Sequence, residues 1–204
     1  MKKFIAVITI FFVLAIQVYA QEADRNRLQL QAGLSWVGVF ANVANRLNVV
    51  EDIDVTVSPS LHLAYDYFYN DRISLGAAFA YQQISVSYQD YTFDDDGQTI
   101  TDDYSTDARR IHISARAMYW YNPQSNFRLY SGIRLGVSNW SADTTVPDPT
   151  YDPDRFINLA LGANFSPQLI VLGTDLALGS GWNISGELAI GAPYFASAGV
   201  SYRW

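Results

Sequence analysis

Two histidines are the residues of this sequence best suited to acid–base chemistry. His112 lies two positions before Ser114, and His62 lies far upstream. A histidine close to a serine can activate the hydroxyl as a nucleophile for acyl transfer. A histidine that is only a hydrogen-bonded structural group is the simpler interpretation. We favour the structural role and keep acyl transfer as the alternative to be tested.

An acidic segment offers a second kind of chemistry. Thr92, Asp94, Asp96, Gly97 and Asp103 follow the spacing of a calcium-binding loop. The match is weak because Thr replaces the first Asp of that pattern and Asp replaces its closing Glu. A solvated acidic loop is the simpler interpretation, and bound divalent cations are the alternative. The segment also contains Asp95, Asp102 and Asp107.

The elements that must position these residues are β-strands, because apolar and polar residues alternate along most of the chain. The alternation predicts an all-β fold, an eight-stranded antiparallel transmembrane β-barrel with meander topology. A change of parity after Tyr81 predicts a bulge near Gln82 and Gln83. Pro167 predicts a bend in the sixth strand, with residues 157–165 extending outside the membrane. The predicted strands are 28–40, 55–69, 73–88, 111–121, 127–137, 168–178, 182–190 and 195–204.

Charged residues of both signs fall on the face opposite to the apolar one. Eight strands enclose an interior just wide enough to be filled by side chains. Charges in that space must pair, so we expect Arg116 and Arg134 to bond to Glu187, Asp66 or Asp175 in a structural polar network. A gated conduit through the same residues is the alternative. The complete predicted network is Asp66, His112, Arg116, Arg128, Arg134, Asp175, Glu187 and Arg203.

The first twenty residues have the form of a secretory signal peptide. Lys2 and Lys3 precede an apolar run over residues 4–18, which is shorter than the roughly 20 residues needed to cross a bilayer. We predict cleavage after Ala20 and one barrel domain over residues 21–204. The chain contains no cysteine, so we expect neither disulfides nor a lipid-modified amino terminus.

The charge of the predicted mature chain excludes one class of partner. Removal of the two lysines from 13 basic residues leaves 11 arginines against 20 acidic residues, a formal charge of −9. An acidic protein of this kind is a poor ligand for nucleic acid.

The connections predict the orientation of the barrel. The long polar segments 41–53, 92–108 and 141–155 alternate with short ones at 70–71, 122–126 and 179–181. Outer-membrane barrels keep short turns in the periplasm and long loops outside, so we expect both termini in the periplasm. The aromatic residues at the predicted periplasmic end form one girdle, made of Tyr67, Tyr69, Tyr119, Tyr121, Phe127, Trp182 and Trp204. Candidates for the outer girdle are Trp36, Phe40, Tyr88, Trp140 and Phe195.

The sequence resembles the small outer-membrane β-barrel domain family, the porin-like eight-stranded proteins of Gram-negative envelopes. The resemblance rests on residues 129–137 (LYSGIRLGV), 186–191 (GELAIG) and 199–204 (GVSYRW). Members ordinarily end on Phe where this chain has Trp204. The resemblance implies the fold and the outer membrane as location, with roles that include adhesion, envelope integrity and passage of small solutes. It transfers no catalytic residue.

These observations favour a non-enzymatic barrel with a structural, envelope or surface-binding role. A narrow channel is the first alternative, and a lipid A-modifying enzyme that uses His112 and Ser114 is the second. We expect a monomer without a cofactor or a resident metal, in contact with lipid and lipopolysaccharide, with divalent cations possible at the outer loops. Tyr202 and Trp204 are the predicted signal for the barrel-assembly machinery.

Overall fold

The computed structural model describes residues 25–39, 53–93, 99–145 and 162–204. The predicted signal peptide and the centre of the acidic segment, residues 94–98, lie outside these ranges. Among the described residues, no helix is long and apolar enough to span a membrane. The strands within these ranges are β1 Asn26–Leu34, β2 Ile53–Val57, β3 Ser60–Asn70, β4 Ile73–Phe93, β5 Thr99–Trp120, β6 Phe127–Thr145, β7 Gly162–Gly179, β8 Trp182–Gly191 and β9 Ala196–Arg203.

The strands close into a barrel in which sequential neighbours are antiparallel. β1 pairs with β3 on one side and with β9 on the other, and the β4–β5 pairing completes the ring. β2 and β3 both pair with β4, so they are two segments of one barrel strand. The eight-stranded antiparallel barrel predicted from the alternation is therefore confirmed.

The two faces of the sheet have the polarity of a membrane-spanning barrel. Outward side chains such as Leu75, Ile113 and Leu135 are apolar and exposed, whereas inward ones such as Gln29 and Ser185 are polar and buried. In a water-soluble protein this arrangement would be inverted. β1 and β3 to β9 each pair with a neighbour on both sides, so lipid meets no open sheet edge along that ring, whereas β2 pairs with β4 alone among the described residues.

Exposed aromatic side chains gather at one end of the barrel. We call this the turn end, because it contains the tight connections at 71–72, 121–126 and 180–181. The opposite end is called the loop end. Tyr69, Tyr121 and Trp182 are all more than half exposed at the turn end, as expected for a girdle at a membrane interface.

The first strand is shorter than predicted. β1 ends at Leu34, and residues 36–39 form one helical turn. Ser35 starts the turn, since its hydroxyl accepts a hydrogen bond from Gly38 N at 3.2 Å and its carbonyl accepts one from Val39 N at 3.2 Å. The predicted strand to residue 40 was wrong because this serine cap competes with the sheet. Trp36 stacks on Phe195 at 4.5 Å between ring centroids.

The predicted bulge near Gln82 and Gln83 lies instead on the opposite strand. β4 pairs with β5 without a register shift from Ile73 to Phe93. The register with β4 shifts between β2 and β3, at Ser58 and Pro59. Pro59 has no backbone N–H to donate to a hydrogen bond of the sheet. As a result Ile84 remains on the inward face and is buried, contrary to the predicted change of parity.

The sixth barrel strand differs from the prediction in where its irregularities lie. β7 runs from Gly162 to Gly179, and Pro167 is in register with Leu135 of β6. No bend is needed there because β8 pairs with β7 only from Gln168 onward. The β7–β8 register shifts at two places. One is at Val171, where both Val171 and Leu172 face outward, and the other lies between Ala177 and Gly179.

The loop end extends as a paired ribbon where the sequence predicted loops. β4 and β5 remain paired up to Phe93 and Thr99, and β5 pairs with β6 up to Ser105 and Thr145. Thr, Ile and Tyr have a high propensity for strands. In these segments that propensity outweighs the polar composition from which loops were predicted. Trp140, predicted in the outer girdle, lies beneath the buried Arg110 on the inner face, with the guanidinium 5.3 Å from the ring centroid.

Candidate functional site in the barrel lumen

Three arginines and three acids form a buried, charge-balanced network across the lumen. Their ion-paired side chains are 0% exposed. Each residue comes from a different strand. Every second side chain of a strand points into the barrel, and closure of the sheet directs the inward side chains of all strands toward the barrel axis. The members are Arg27 of β1, Asp66 of β3, Arg116 of β5, Arg134 of β6, Asp175 of β7 and Glu187 of β8.

Arg27 joins two of the acids. Its Nε and Nη2 donate to the two carboxylate oxygens of Asp175 at 2.9 and 2.7 Å, a bidentate pair. Its Nη1 donates to Asp66 Oδ2 at 2.9 Å. The guanidinium carbon also lies 5.2 Å from the ring centroids of both Trp120 and Tyr130. Arg27 is thus held by two charges and two aromatic faces.

Arg116 links Asp66 to Glu187. Its Nη1 donates to Gln29 Oε1 at 2.9 Å, and its Nη2 donates to Glu187 Oε1 at 3.2 Å. Its Nε lies 3.0 Å from Asp66 Oδ1. That contact is Coulombic, since neither atom has a hydrogen-bond partner of suitable angle.

Glu187 is the central acceptor of the network. Its Oε1 accepts from Tyr130 at 2.7 Å and from Gln29 and Arg116 at 3.2 Å each. Its Oε2 accepts from Arg134 Nη2 at 2.6 Å and from the hydroxyl of Tyr194. These protein donors satisfy the hydrogen-bonding capacity of the buried carboxylate.

Tyr194 closes the lumen from the loop end. It belongs to the β8–β9 connection, and its side chain is fully buried. Arg134 donates to its hydroxyl, and Gln168 Nε2 donates to its carbonyl at 2.6 Å. Gly33 makes room for it, because a Cβ at that position would lie 2.8 Å from Tyr194 Cβ. The loop residue therefore acts as a side-chain cork.

Aromatic residues close the lumen toward the turn end. Phe68 and Trp120 have ring centroids 5.1 Å apart, and Trp120 and Tyr130 are 4.4 Å apart. Trp120 Nε1 donates to Ser74 Oγ at 3.0 Å, so the indole is satisfied without water. Met118, Ile170 and Ala189 complete this buried cluster.

The predicted network residues divide into three groups. Asp66, Arg116, Arg134, Asp175 and Glu187 lie within the network described above. His112 lies beside it and is hydrogen bonded to Ser138.

Two predicted members lie at the turn end, outside the network. Arg128 Nε donates to Ser125 O at 3.3 Å, and Arg203 lies 4.0 Å from the centroid of Phe68. Both are partly exposed. Both follow strand parity, and Arg128 is in register with Asp175 and Arg203 with Arg27, but these two side-chain contacts lie toward the turn end.

Two members were missed from the sequence. Arg27 precedes the predicted first strand by one residue, although its parity matches that of Gln29 and Gln31. Tyr194 lies in a connection, where parity carries no information. The charge count gave no signal for Arg27, since the predicted inward arginines already outnumbered the three predicted inward acids.

The predicted acyl-transfer pair is not assembled in the lumen. His112 and Ser114 are both buried and face inward. His112 Nδ1 lies 2.9 Å from Ser138 Oγ, whereas Ser114 Oγ has no hydrogen-bond partner. Within the described ranges, no group of three or more His, Cys, Asp or Glu residues could hold a metal ion.

The carboxy-terminal residue completes the ladder. Trp204 N donates to Asn26 O at 2.9 Å, and Asn26 N donates to Trp204 O at 2.9 Å. The Tyr202 ring stacks on Trp204 with centroids 5.5 Å apart. These contacts locate the predicted assembly signal at the seam between β1 and β9, and its recognition stays a prediction.

A closed antiparallel barrel with an apolar exterior and a filled polar interior defines the class of small outer-membrane β-barrels. The structure is similar to the crystal structure of the outer membrane protein OprG from Pseudomonas aeruginosa, with a TM-score of 0.52 and 11% identity over 90% of this chain and 97% of that chain.

Two further solved structures have weaker similarity to the chain. The Yersinia pestis protein Ail in a phospholipid bilayer nanodisc has a TM-score of 0.42 and 14% identity, over 89% of this chain and 99% of that one. The E. coli outer membrane protein W has a TM-score of 0.41 and 13% identity, over 91% of this chain and 100% of that one. No protein-family model matches the sequence, and no curated protein matches it.

The closed ring of strands and the similarity to OprG confirm the predicted fold class, an eight-stranded antiparallel β-barrel. The exposed apolar exterior and the aromatic girdle of this chain agree with the predicted location in the outer membrane.

Proposed function

We propose that this protein is a non-conducting, non-enzymatic barrel that stabilises the envelope and contacts external partners through its loop end. The observation that supports a closed barrel is the charge-balanced network of Arg27, Arg116, Arg134 and their three acids, all 0% exposed. It lies between the Tyr194 cork and the aromatic cluster.

The network opposes conduction for an energetic reason. A passing ion would have to separate at least one buried ion pair, and breaking such a pair costs about 3–5 kcal/mol. That cost corresponds to roughly a hundredfold to several-thousandfold reduction in the open population. Tyr194 would also have to leave its bonds to Glu187 and Arg134.

The loop end supports the surface-binding part of the proposal. The β4–β5 ribbon projects from the barrel and carries the acidic segment at its tip. The strand pairing ends at Phe93 and Thr99, the residues that flank the centre of this acidic segment in the chain. We propose that it contacts divalent cations, lipopolysaccharide or an external protein, and that the barrel is a monomer delivered by the barrel-assembly machinery.

Planar-bilayer recording tests the closed lumen. We expect purified protein to give no reproducible single-channel steps. The matched variants are Arg134→Gln, which removes a network charge, and Arg109→Gln, which removes an exposed one. Stable steps in the unmodified protein that disappear in Arg134→Gln but persist in Arg109→Gln would favour a channel instead.

Surface binding is tested on the acidic tip. We expect calcium or lipopolysaccharide binding by the intact protein to fall when Asp94, Asp95 and Asp96 are changed together to Asn. The control is Asp143→Asn, at an exposed position on β6. Equal binding by the two variants would contradict the role of the tip.

A narrow channel is the second candidate, favoured by the polar groups that line the lumen beyond the network. The lipid A-modifying enzyme has less support, since His112 and Ser114 are buried and face away from lipid. A change in lipid A mass that depends on both residues would nevertheless establish it.

A further inference from the structure

Polar atoms without a hydrogen-bond partner cluster on one wall of the lumen. Both ring nitrogens of His62 are unpaired although the residue is only 1% exposed. His112 Nε2 and Ser114 Oγ are unpaired and buried as well. Buried polar groups rarely remain without a partner, because the cost is several kcal/mol for each group. The same wall contains the unpaired Ser60 Oγ and Gln82 Oε1.

The strand register brings these atoms together. Ala80 of β4 pairs with His62 of β3 on one side and with His112 of β5 on the other. Two strand spacings therefore separate the histidines, roughly 10 Å between Cα atoms, and their rings extend into the same part of the lumen. Ala78, which pairs with Ser114, and Ala80 present only methyl groups between them. We call the part of the lumen that these side chains border, with the Tyr194 ring 5.3 Å from that of His62, the histidine chamber.

A positive charge borders the histidine chamber. Arg110 is 5% exposed, lies on the same face of β5 as His112, and pairs with Gln82. Its Nη2 donates to Pro193 O, and its guanidinium lies over Trp140. Among the residues whose side chains the structure describes, which leave out 88–104, none forms an ion pair with Arg110, and the three acids of the central network are already paired with other arginines.

The chamber therefore combines an uncompensated cation with several unused donors. Water could satisfy the hydroxyls and imidazoles, but it cannot balance the charge of Arg110. A cation would add repulsion. A carboxylate matches the fork of a guanidinium and accepts from imidazole N–H and hydroxyl groups. Its single charge would neutralise the one arginine.

We propose that the histidine chamber binds a small monovalent carboxylate anion, held by Arg110 with His62, His112 and Ser114 as further donors. Ser138 fixes the orientation of the His112 ring, because its hydroxyl can donate to Nδ1 and leave Nε2–H directed into the chamber. This site is independent of conduction, since the neutral network and the aromatic cluster remain closed toward the turn end.

The test is an NMR titration of the folded full-length mature barrel in lipid nanodiscs with sodium formate at constant ionic strength, using chloride to balance the salt. We expect saturable shifts of the Arg110 Nε–H and of the His62 and His112 ring nitrogens. Arg110→Gln should weaken binding about tenfold or more, since it removes a charged hydrogen-bonding group. Arg128→Gln, at the opposite end of the barrel, should leave the affinity unchanged.

A second variant distinguishes loss of formate binding from loss of folding. His62→Gln keeps a polar side chain of similar size and should lower the affinity for formate while the unfolding midpoint in the absence of formate stays near that of the unmodified protein. Absence of saturable shifts would overturn the proposal. Equal affinity in the Arg110→Gln and unmodified proteins, or equal shifts at Arg110 and Arg128, would overturn it as well.

Discussion

Replacement of Arg134 by Ala is the most direct test of the buried network. The change removes donors to Glu187 Oε2 and Gln168 Oε1, both at 2.6 Å, and to the Tyr194 hydroxyl. Arg116, at 3.2 Å from Glu187 Oε1, is then the only remaining cation of the network beside that carboxylate. Loss of one partner of a buried pair costs about 3–5 kcal/mol, because the other charge remains buried. We expect the free energy of unfolding to fall by about that amount.

The matched control is Arg109→Ala. Arg109 lies 3.8 Å from Asp143, and the two side chains are 50% and 79% exposed. An exposed pair of this kind contributes about 0–1 kcal/mol, so this variant should unfold close to the original protein. The measurement is equilibrium urea unfolding of protein refolded into lipid vesicles, followed by tryptophan fluorescence and by the mobility of the folded form in gels.

A charge-balanced double variant separates the network from simple loss of packing. Arg134→Gln combined with Glu187→Gln keeps the network neutral. We therefore expect the double variant to lose less unfolding free energy than the sum of the losses in the two single variants. Equal midpoints for Arg134→Ala and Arg109→Ala would refute the reasoning, and so would strict additivity in the double variant.

Three further predictions concern the cork, the seam and the amino terminus. Gly33→Ala should destabilise the barrel by about 1–3 kcal/mol, because its Cβ would lie 2.8 Å from Tyr194 Cβ. Gly186→Ala is the control, since its Cβ has no neighbour nearer than 3.5 Å, and similar unfolding free energies for the two variants would contradict the cork. Deletion of Trp204 removes two backbone hydrogen bonds to Asn26 and should lower the amount of folded protein in outer-membrane fractions. An undiminished amount would argue against the terminal signal. Intact-mass measurement of envelope protein should give a chain that begins at Gln21, and a mass that includes residues 1–20 would disprove cleavage.

The sequence alone determined which face of most strands meets lipid. Alternation is a local property, since successive side chains of a strand point to opposite sides. It assigned Asp66, Arg116 and Glu187 to the inner face, and the structure has these side chains buried. It also predicted the aromatic girdle at the turn end, because the tyrosines and tryptophans there stand next to short turns in the chain itself.

Only the tertiary structure decided which inward residues meet. Arg27 and Asp175 are 148 positions apart in the chain, yet they form a bidentate pair because the ring closes between β1 and β9. Tyr194 enters the network from a connection, where no periodicity applies. The bulge assigned to Gln82 lies on the neighbouring strand at Pro59, because register depends on both partners. Parity is encoded locally, whereas register, closure and the convergence of side chains on one axis depend on all eight strands together.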